Sequence, residues 1–491
     1  MSLEISLKEL PIEVGEVYEG ERIRWKDTFV ELGGPKIDKK FELVRVRDMK
    51  DIEDGKIIVI GKQLEELEPQ KSHPFGILIE VAGKNVEKDL EAVFERRIHE
   101  FTNFAQGVMH LNQRYDIHIR ISNATKDKGL TFDVWGKVFY KFFKEELGIF
   151  DAMQITFITD PKRIEKIHTQ AIEAYNARDE RARQLRDEDV DTFYGCILCQ
   201  SFAPTHVCVV SPDRISSCGA LNWFDTRAAA KIDPEGPNFP IPKGEVLDPE
   251  RGEYSGVNDR VMEKSLGEIE RITLHGLFGK THTSCGCFEA CSFIIPEVDG
   301  FGVVHRDFVG ATVNGLEFGT MATQVGGGIQ TEGFVGIAVE YLRSPKFFHV
   351  DGGLNRLVWL PKALKERVRD AFPEDLYDKI ATEEDVSTVD ELKSFLKERN
   401  HPVISRWVEE EEVAIAAPTP APVSQAVPMA SQYPLSSMAI QAPGTPVGQV
   451  PVMTVHVPMP QMAGAAAGGT IKLVLKNVKI HAEKVLILKE D

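Results

Sequence analysis

The tripeptide Cys285-Gly286-Cys287, inside TSCGCFEACS (283–292), sets two thiols on either side of the smallest residue. It also offers the backbone nitrogens of Gly286 and Cys287. If those amides lose their protons, two sulfurs and two nitrogens close small chelate rings in one plane, and glycine has no Cβ to obstruct it. An S2N2 square plane suits Ni(II) or Cu(II), whereas zinc prefers a tetrahedron. Both thiolates keep lone pairs with which to bridge to a second metal. The plainer alternative is two small residues beside a structural glycine turn.

Four more cysteines lie upstream in CILCQSFAPTHVCVVSPDRISSC (196–218): Cys196, Cys199, Cys208 and Cys218. Four thiolates in so short a span can wrap one metal centre. Zinc motifs usually come as two tight pairs. Here only the first pair is tight, which suits a [4Fe–4S] cube with ligands from different directions. A zinc staple remains the alternative. The seventh cysteine, Cys291, falls outside both groups and reads as a buried free thiol. No cysteine precedes residue 196 or follows residue 291, a clustering that points to metal or redox work rather than to a disulfide scaffold.

The elements that must position these thiols are α/β in pattern. KIIVIG (56–61), GILIEVAG (76–83), IHIRIS (117–122) and MQITFIT (153–159) read as strands. Residues 85–112 and 132–147 carry helical patterning, and 161–188 form a long charged helix. Alternating strands and helices predict a mixed or parallel sheet covered by helices. The expected organisation is two mixed α/β domains. Residues 1–190 would be a domain for coenzyme or partner binding, and 191–408 a metal-cluster domain rich in glycine and short apolar runs. From Val413 to Ile471 there is no Asp, Glu, Lys or Arg, and ten prolines occur. Residues 409–469 therefore read as a disordered Pro/Ala-rich linker. IKLVL and VLIL predict a short C-terminal β-hairpin over 470–491, a candidate docking element.

Composition excludes some classes. A net charge of −18 over 491 residues argues against nucleic-acid or anionic-membrane binding. The N-terminus lacks a signal-peptide pattern and no apolar run is long enough to span a membrane, so the reading is a cytoplasmic chain.

The two cysteine groups together, with CILCQSFAPTHVC, SSCGALNWFD, FGKTHTSCGCFEACSF and the glycine-rich stretch to EYLRSPKFFHVDGG, carry a resemblance. Over residues 1–408 the chain resembles the catalytic subunit of acetyl-CoA synthase, and more narrowly the β subunit of the archaeal acetyl-CoA decarbonylase/synthase complex. The resemblance implies a [4Fe–4S] cube on Cys196, Cys199, Cys208 and Cys218, joined through Cys199 to a pair of nickel ions. Cys285 and Cys287 would bridge the two nickels, and the backbone nitrogens of Gly286 and Cys287 would complete the distal square plane. It implies reversible synthesis and cleavage of acetyl-CoA from CO, a corrinoid-bound methyl group and coenzyme A. Implied partners are a methylated corrinoid iron–sulfur protein and CO dehydrogenase subunits. An aromatic at Phe202 would sit over the nickel pocket. The bacterial form has an extra N-terminal domain for which this length leaves no room, so CO would arrive from a partner subunit. Competing readings of the same cysteines are an iron–sulfur electron-transfer subunit and a zinc-stapled scaffold.

Weaker signals are read as structure. Arg178, Arg181, Arg183 and Arg186 are interleaved with acidic residues and predict a solvated helix face rather than a phosphate site. Gly326-Gly327-Gly328 lacks a P-loop lysine and predicts a tight turn. His305-Arg306-Asp307 mimics a kinase triplet with no companion motif. Lys280 and His282 stand close enough to the Cys-Gly-Cys to influence thiolate charge or a proton.

Overall fold

The computed structural model describes residues 6–407. The linker and hairpin expected over 409–469 and 470–491 lie outside the described residues.

The predicted strands pair into mixed sheets. Lys40–Val46, Phe75–Ala82, Ala152–Ile158 and Ile57–Ile60 form one sheet in that order. Its outer pairs are parallel and the central pair antiparallel. Strict alternation gives it two apolar faces. Phe75, Ile77 and Phe157 meet Trp135 and Phe139 of helix Phe132–Glu146 on one side. Phe41 and Leu43 meet Ile164, Ile167 and Tyr175 of helix Pro161–Arg183 on the other. That long helix starts with Asp160 as N-cap, its side chain accepting from the Arg163 amide at 2.7 Å, and a proline in its first turn.

Helix α1, Glu91–Asn103, connects this part to the cysteines. Lys40–Val46 is an edge strand, and α1 covers its open side. The Glu95 and Glu91 carboxylates accept the Val44 and Val46 amides at 3.0 and 2.9 Å. Arg178 clamps the same two carboxylates from behind, at 2.8 Å to Glu95 and 2.9 Å to Glu91. The adjoining face of α1 carries Arg96, His99 and Asn103, all buried, at i, i+3, i+7 spacing.

Beyond residue 190 the core is continuous with the first part: Leu198, Val210, Leu221 and Ala228 pack in the same cluster as Phe94 and Ile98. Strand Thr192–Cys196 lies between Cys208–Val210 and Asn238–Pro242, antiparallel to both. A further sheet has the order Phe334–Ile337, Ala290–Ile295, Gly300–His305, Leu357–Trp359. The expected mixed α/β architecture is therefore what the described residues adopt. Among them, no helix is long and apolar enough to cross a membrane.

Candidate metal centre

Each cysteine is held by a definite local device. Cys196 and Cys208 are direct cross-strand neighbours, so one register pair sets two thiols side by side. Cys199 sits in the 3-10 turn Leu198–Ser201, whose Cys199 carbonyl accepts from the amides of Phe202 and Ala203 at 3.2 and 2.9 Å. Cys218 follows Ser216, whose hydroxyl lies 3.4 Å from its sulfur. Backbone amides of Leu198, Ser217 and Ala220 serve the sulfurs of Cys196, Cys208 and Cys218. Such N–H···S bonds are the usual support of cluster thiolates. Burial first, and the neighbouring thiols next, push the Cys196 thiol above its ordinary range. Cys208 is pushed up to about 12 by burial, with Cys218 adding. The Cys196, Cys208 and Cys218 thiols, all pushed up by burial, would ionise only against a compensating cation.

The Cys-Gly-Cys loop precedes strand Ala290–Ile295 and is clamped from three sides. The amides of Gly327 and Gly328 donate to the carbonyls of Cys285 and Ser284 at 2.7 and 2.8 Å. Ser284 exchanges hydrogen bonds with Gly336 of strand Phe334–Ile337, its hydroxyl accepting that amide at 2.8 Å. Arg306 Nη1 donates to the Cys287 carbonyl at 3.3 Å. The Cys287 amide donates to Cys285 Sγ at 3.2 Å, which folds the tripeptide back on itself.

The loop closes on the first cysteine group at one point. The Sγ atoms of Cys199, Cys285 and Cys287 all lie within 4.8 Å of one another. Hydrogen bonds from Cys199 and Cys285, with Arg96 and Arg306 nearby, hold the Cys287 thiol well below the ordinary range. Hydrogen bonds to Cys199 and Cys287, and then burial, push the Cys285 thiol well up.

A buried guanidinium lies against these thiols. Arg96 is 1% exposed, and its Nη2 donates to Cys199 Sγ at 3.3 Å. Its Nη1 is buried with no acceptor among the described residues. Burying a cation against neutral thiols is costly, whereas thiolates and the sulfides of a cluster repay it. Sulfur-only donors, N–H···S support and an orphaned guanidinium N–H fit a thiolate-held metal cluster.

The loop and its neighbours border a cavity of about 370 Å³, lined by Glu19, His99, Phe202, Cys285, Cys287 and Arg306 among others. Phe202 is 38% exposed, and a Cβ built on Gly286 would stand 3.4 Å from its ring. Thus the aromatic does lie beside the Cys-Gly-Cys. Glu19 faces the same cavity, its carboxyl pushed up to about 7 by burial.

Other sequence candidates fall elsewhere. Cys291 is buried in strand Ala290–Ile295, with its thiol pushed up by burial, as expected of a structural thiol. His282 is buried, and its Nε2 accepts the Val209 amide at 3.0 Å, so it braces the strand carrying Cys208. Burial holds that imidazole neutral, far below its ordinary pKa. The Lys280 side chain is exposed. Of the arginines of helix Pro161–Arg183 and its end, Arg181 and Arg186 are exposed as the solvated-face reading expects and Arg183 is half-buried, whereas Arg178 is drawn into an internal ion-pair network. Arg178 holds Glu91 and Glu95, Arg181 holds Asp89 at 2.7 Å, and Arg183 pairs with Glu340. Each acidic partner comes from a distant segment, which local charge patterning cannot reveal. In the His305-Arg306-Asp307 triplet, Arg306 turns to the Cys-Gly-Cys while His305 and Asp307 gather with Asp116. Arg367 already supplies a cation there, with Nη1 3.2 Å from Asp116.

Arg96, His99 and Glu19 escaped the sequence reading. They carry no motif, and they reach the thiols only through the fold, from about a hundred residues or more away in the chain.

A buried multi-thiol centre in a mixed α/β body defines a metalloprotein class, and comparison with known proteins narrows it. Residues 10–164 match the family model described as CO dehydrogenase/acetyl-CoA synthase complex beta subunit, and 175–407 match the one for the C-terminal part of the ACS/CODH beta subunit. Acetyl-CoA decarbonylase/synthase complex subunit beta 2 of Methanosarcina thermophila is 50% identical over 481 residues, 98% of each chain. The subunit beta of that complex in Methanothermobacter thermautotrophicus is 48% identical over 483 residues, 98% of this chain and 100% of that one. The solved C-terminal domain of an acetyl-Coenzyme A synthase alpha subunit shares 44% identity over 24% of this chain and 95% of its own. Its TM-score of 0.23 is too low to bear on the fold. The chain belongs to the family of CO dehydrogenase/acetyl-CoA synthase complex beta subunits.

Proposed function

We propose that the chain is the acetyl-CoA-forming and acetyl-CoA-cleaving subunit of a decarbonylase/synthase complex, an acyltransferase working at a nickel–iron–sulfur centre. Cys196, Cys199, Cys208 and Cys218 would hold a [4Fe–4S] cube. Cys199, Cys285 and Cys287 would hold the nickel next to it. The two thiolates of the Cys-Gly-Cys and the backbone nitrogens of Gly286 and Cys287 would hold a second nickel. When bound, this group supplies an electron-rich centre at which CO and a methyl group are joined and passed to coenzyme A as the acetyl thioester, and at which the reverse occurs.

The single observation that carries the proposal is the convergence of the Cys199, Cys285 and Cys287 sulfurs within 4.8 Å of one another. The protein's own work follows from the geometry. Gly327, Gly328 and Ser284 fix the loop so that both thiols face Cys199. Phe202 covers one side of the Cys-Gly-Cys, restricts the room beside it to small ligands and keeps water away. The cavity beyond admits the substrates.

By the same reading, 1–190 is a domain for coenzyme A or partner contacts and 191–408 the metal-binding domain. CO comes from a CO dehydrogenase subunit and the methyl group from a methylated corrinoid iron–sulfur protein, in the cytoplasm. The segment 409–469 would tether a docking hairpin at 470–491 to that complex. Deletion of 409–491 with unchanged co-purification of the partner subunits would remove the docking role.

The direct test is an anaerobic assay of the iron- and nickel-reconstituted full chain with a methylated corrinoid protein, CO and coenzyme A. Acetyl-CoA should form, and Cys285→Ala/Cys287→Ala should abolish it. A wild-type chain that holds iron and exchanges electrons but forms no acetyl-CoA would instead be an electron-transfer subunit.

A further inference from the structure

Among the described residues, Arg96 is buried against sulfur rather than against carboxylate. In α1, Arg97 takes the Glu100 carboxylate and also reaches Glu146 at 2.6 Å. Arg96, one residue earlier, turns to the other side of the helix. Among the described residues no carboxylate lies within ion-pair distance of it, and its one hydrogen bond goes to Cys199 Sγ at 3.3 Å. Cys199 is the residue through which the two cysteine groups meet. The charge of Arg96 also reaches Cys287 of the Cys-Gly-Cys and Cys218 of the upstream group, with Glu100 the only carboxylate among its leading influences. The other cations near the thiols are placed differently. Arg306 bonds the Cys287 carbonyl, and Arg214 faces Cys208 while bonding the Leu274 carbonyl at 2.6 Å.

We propose that Arg96 is a positioning residue of the metal centre: its guanidinium is the counter-charge shared by thiolates of both cysteine groups, and it governs how readily the loaded centre accepts an electron. This deepens the function proposed above and rests on it. Adding an electron to a buried, thiolate-rich centre adds negative charge in a low dielectric. A fixed positive charge in contact with the bridging sulfur favours that step, and its removal disfavours it. A planar guanidinium can serve Cys199 with one N–H and the cluster with the other, which is the use left for the unserved Nη1.

The test uses the full chain with iron and nickel restored, as wild type, Arg96→Met and Arg96→Lys. Methionine keeps most of the buried volume without the charge, and lysine keeps the charge without the fork. Metal content and thermal unfolding come first. A potentiometric titration then follows the iron–sulfur absorption of each protein. Arg96→Met should hold iron and be harder to reduce, with the reduced-to-oxidised ratio at a fixed potential down about tenfold, or about 59 mV for one electron. Arg96→Lys should recover most of that shift. Loss of iron from Arg96→Met but not from Arg96→Lys would equally assign the charge to the centre. An unchanged potential in iron-replete Arg96→Met would overturn the proposal, and so would equal loss of iron from both variants, which would make Arg96 a packing residue. A wild-type chain that takes up no iron would overturn the cluster itself, and the role of Arg96 with it.

Discussion

Gly286 has two duties that pull on the same atom. In the proposed site it would leave its nitrogen free to meet a metal, and it must hold a backbone angle that side chains avoid. Its φ is +152°, while a Cβ there would only touch Phe202 at an ordinary 3.4 Å. The constraint is therefore the backbone and not the space. Gly286→Ala should keep iron and weaken nickel binding about tenfold to a hundredfold, from a strain of about 1–3 kcal/mol. Competition with a nickel chelator would read this directly, and an unchanged nickel affinity would mean the loop does not depend on that conformation. At this scale the candidate chelate was legible in the sequence, because the Cys-Gly-Cys that would form it is a local object. Two thiols, one glycine and two amides are all within three residues, so their chemistry shows without a fold. The same locality made the four upstream cysteines visible. Arg96 is the opposite case. Nothing in ERRIHE (95–100) separates it from Arg97, and only the turn of α1 sends one to sulfur and the other to carboxylate.

Elements hold the residues in place, and the glycine triplet at 326–328 is the most instructive. Its sequence predicts a tight turn, and the structure has a bend at Gly327 and Gly328 without a turn hydrogen bond. The structure adds what the bend is for: two of its amides grip the carbonyls of Ser284 and Cys285. Gly328 has φ +83°, and a Cβ there would fall 2.8 Å from the His206 amide nitrogen and 2.6 Å from Thr205 Oγ1. Gly327 has a similar φ of +80° with nothing within 4 Å. Gly328→Ala should therefore cost more than Gly327→Ala, about 2–4 kcal/mol against about 1–2 kcal/mol. Urea unfolding would measure the difference, and equal costs would show that the close approach to residues 205–206 is not constraining. The strands were legible for a plain reason. Alternation in GILIEVAG and the apolar runs in KIIVIG and MQITFIT are short-range patterns, and each became a strand. Their pairing order was not legible, since register depends on partners far apart in sequence.

The whole molecule must stay folded around this centre, and its pH dependence has a traceable part. His401 is 1% exposed, with Nε2 donating to the Leu357 carbonyl at 3.1 Å and Nδ1 accepting the Val403 amide at 3.1 Å. The Nδ1 contact needs the neutral ring, whereas the bond to Leu357 survives protonation and pulls the other way. Burial holds its pKa down at about 4, against an ordinary value of about 6.5. The unfolded chain thus takes up the proton first as pH falls. The stabilisation is full above about pH 6.5 and is lost progressively towards pH 4, with a weight of up to about 3 kcal/mol. Asp225 and Glu289, each pushed up to about 7 by burial, act in the reverse direction. The clean readout is the difference between wild type and His401→Gln in urea midpoint from pH 7 to pH 4.5. That difference should shrink on acidification, and a constant difference would refute the assignment.

The central claim is that one site joins an iron–sulfur group to a nickel chelate through Cys199. The most direct measurement is the metal content of the anaerobically purified, iron- and nickel-reconstituted chain, compared with Cys285→Ala/Cys287→Ala and with Cys199→Ala. Wild type should hold about four irons and about two nickels. The Cys-Gly-Cys variant should keep iron and lose nickel, and Cys199→Ala should impair both. Full nickel in the Cys285→Ala/Cys287→Ala protein, or zinc without iron or sulfide in the wild type, would contradict it.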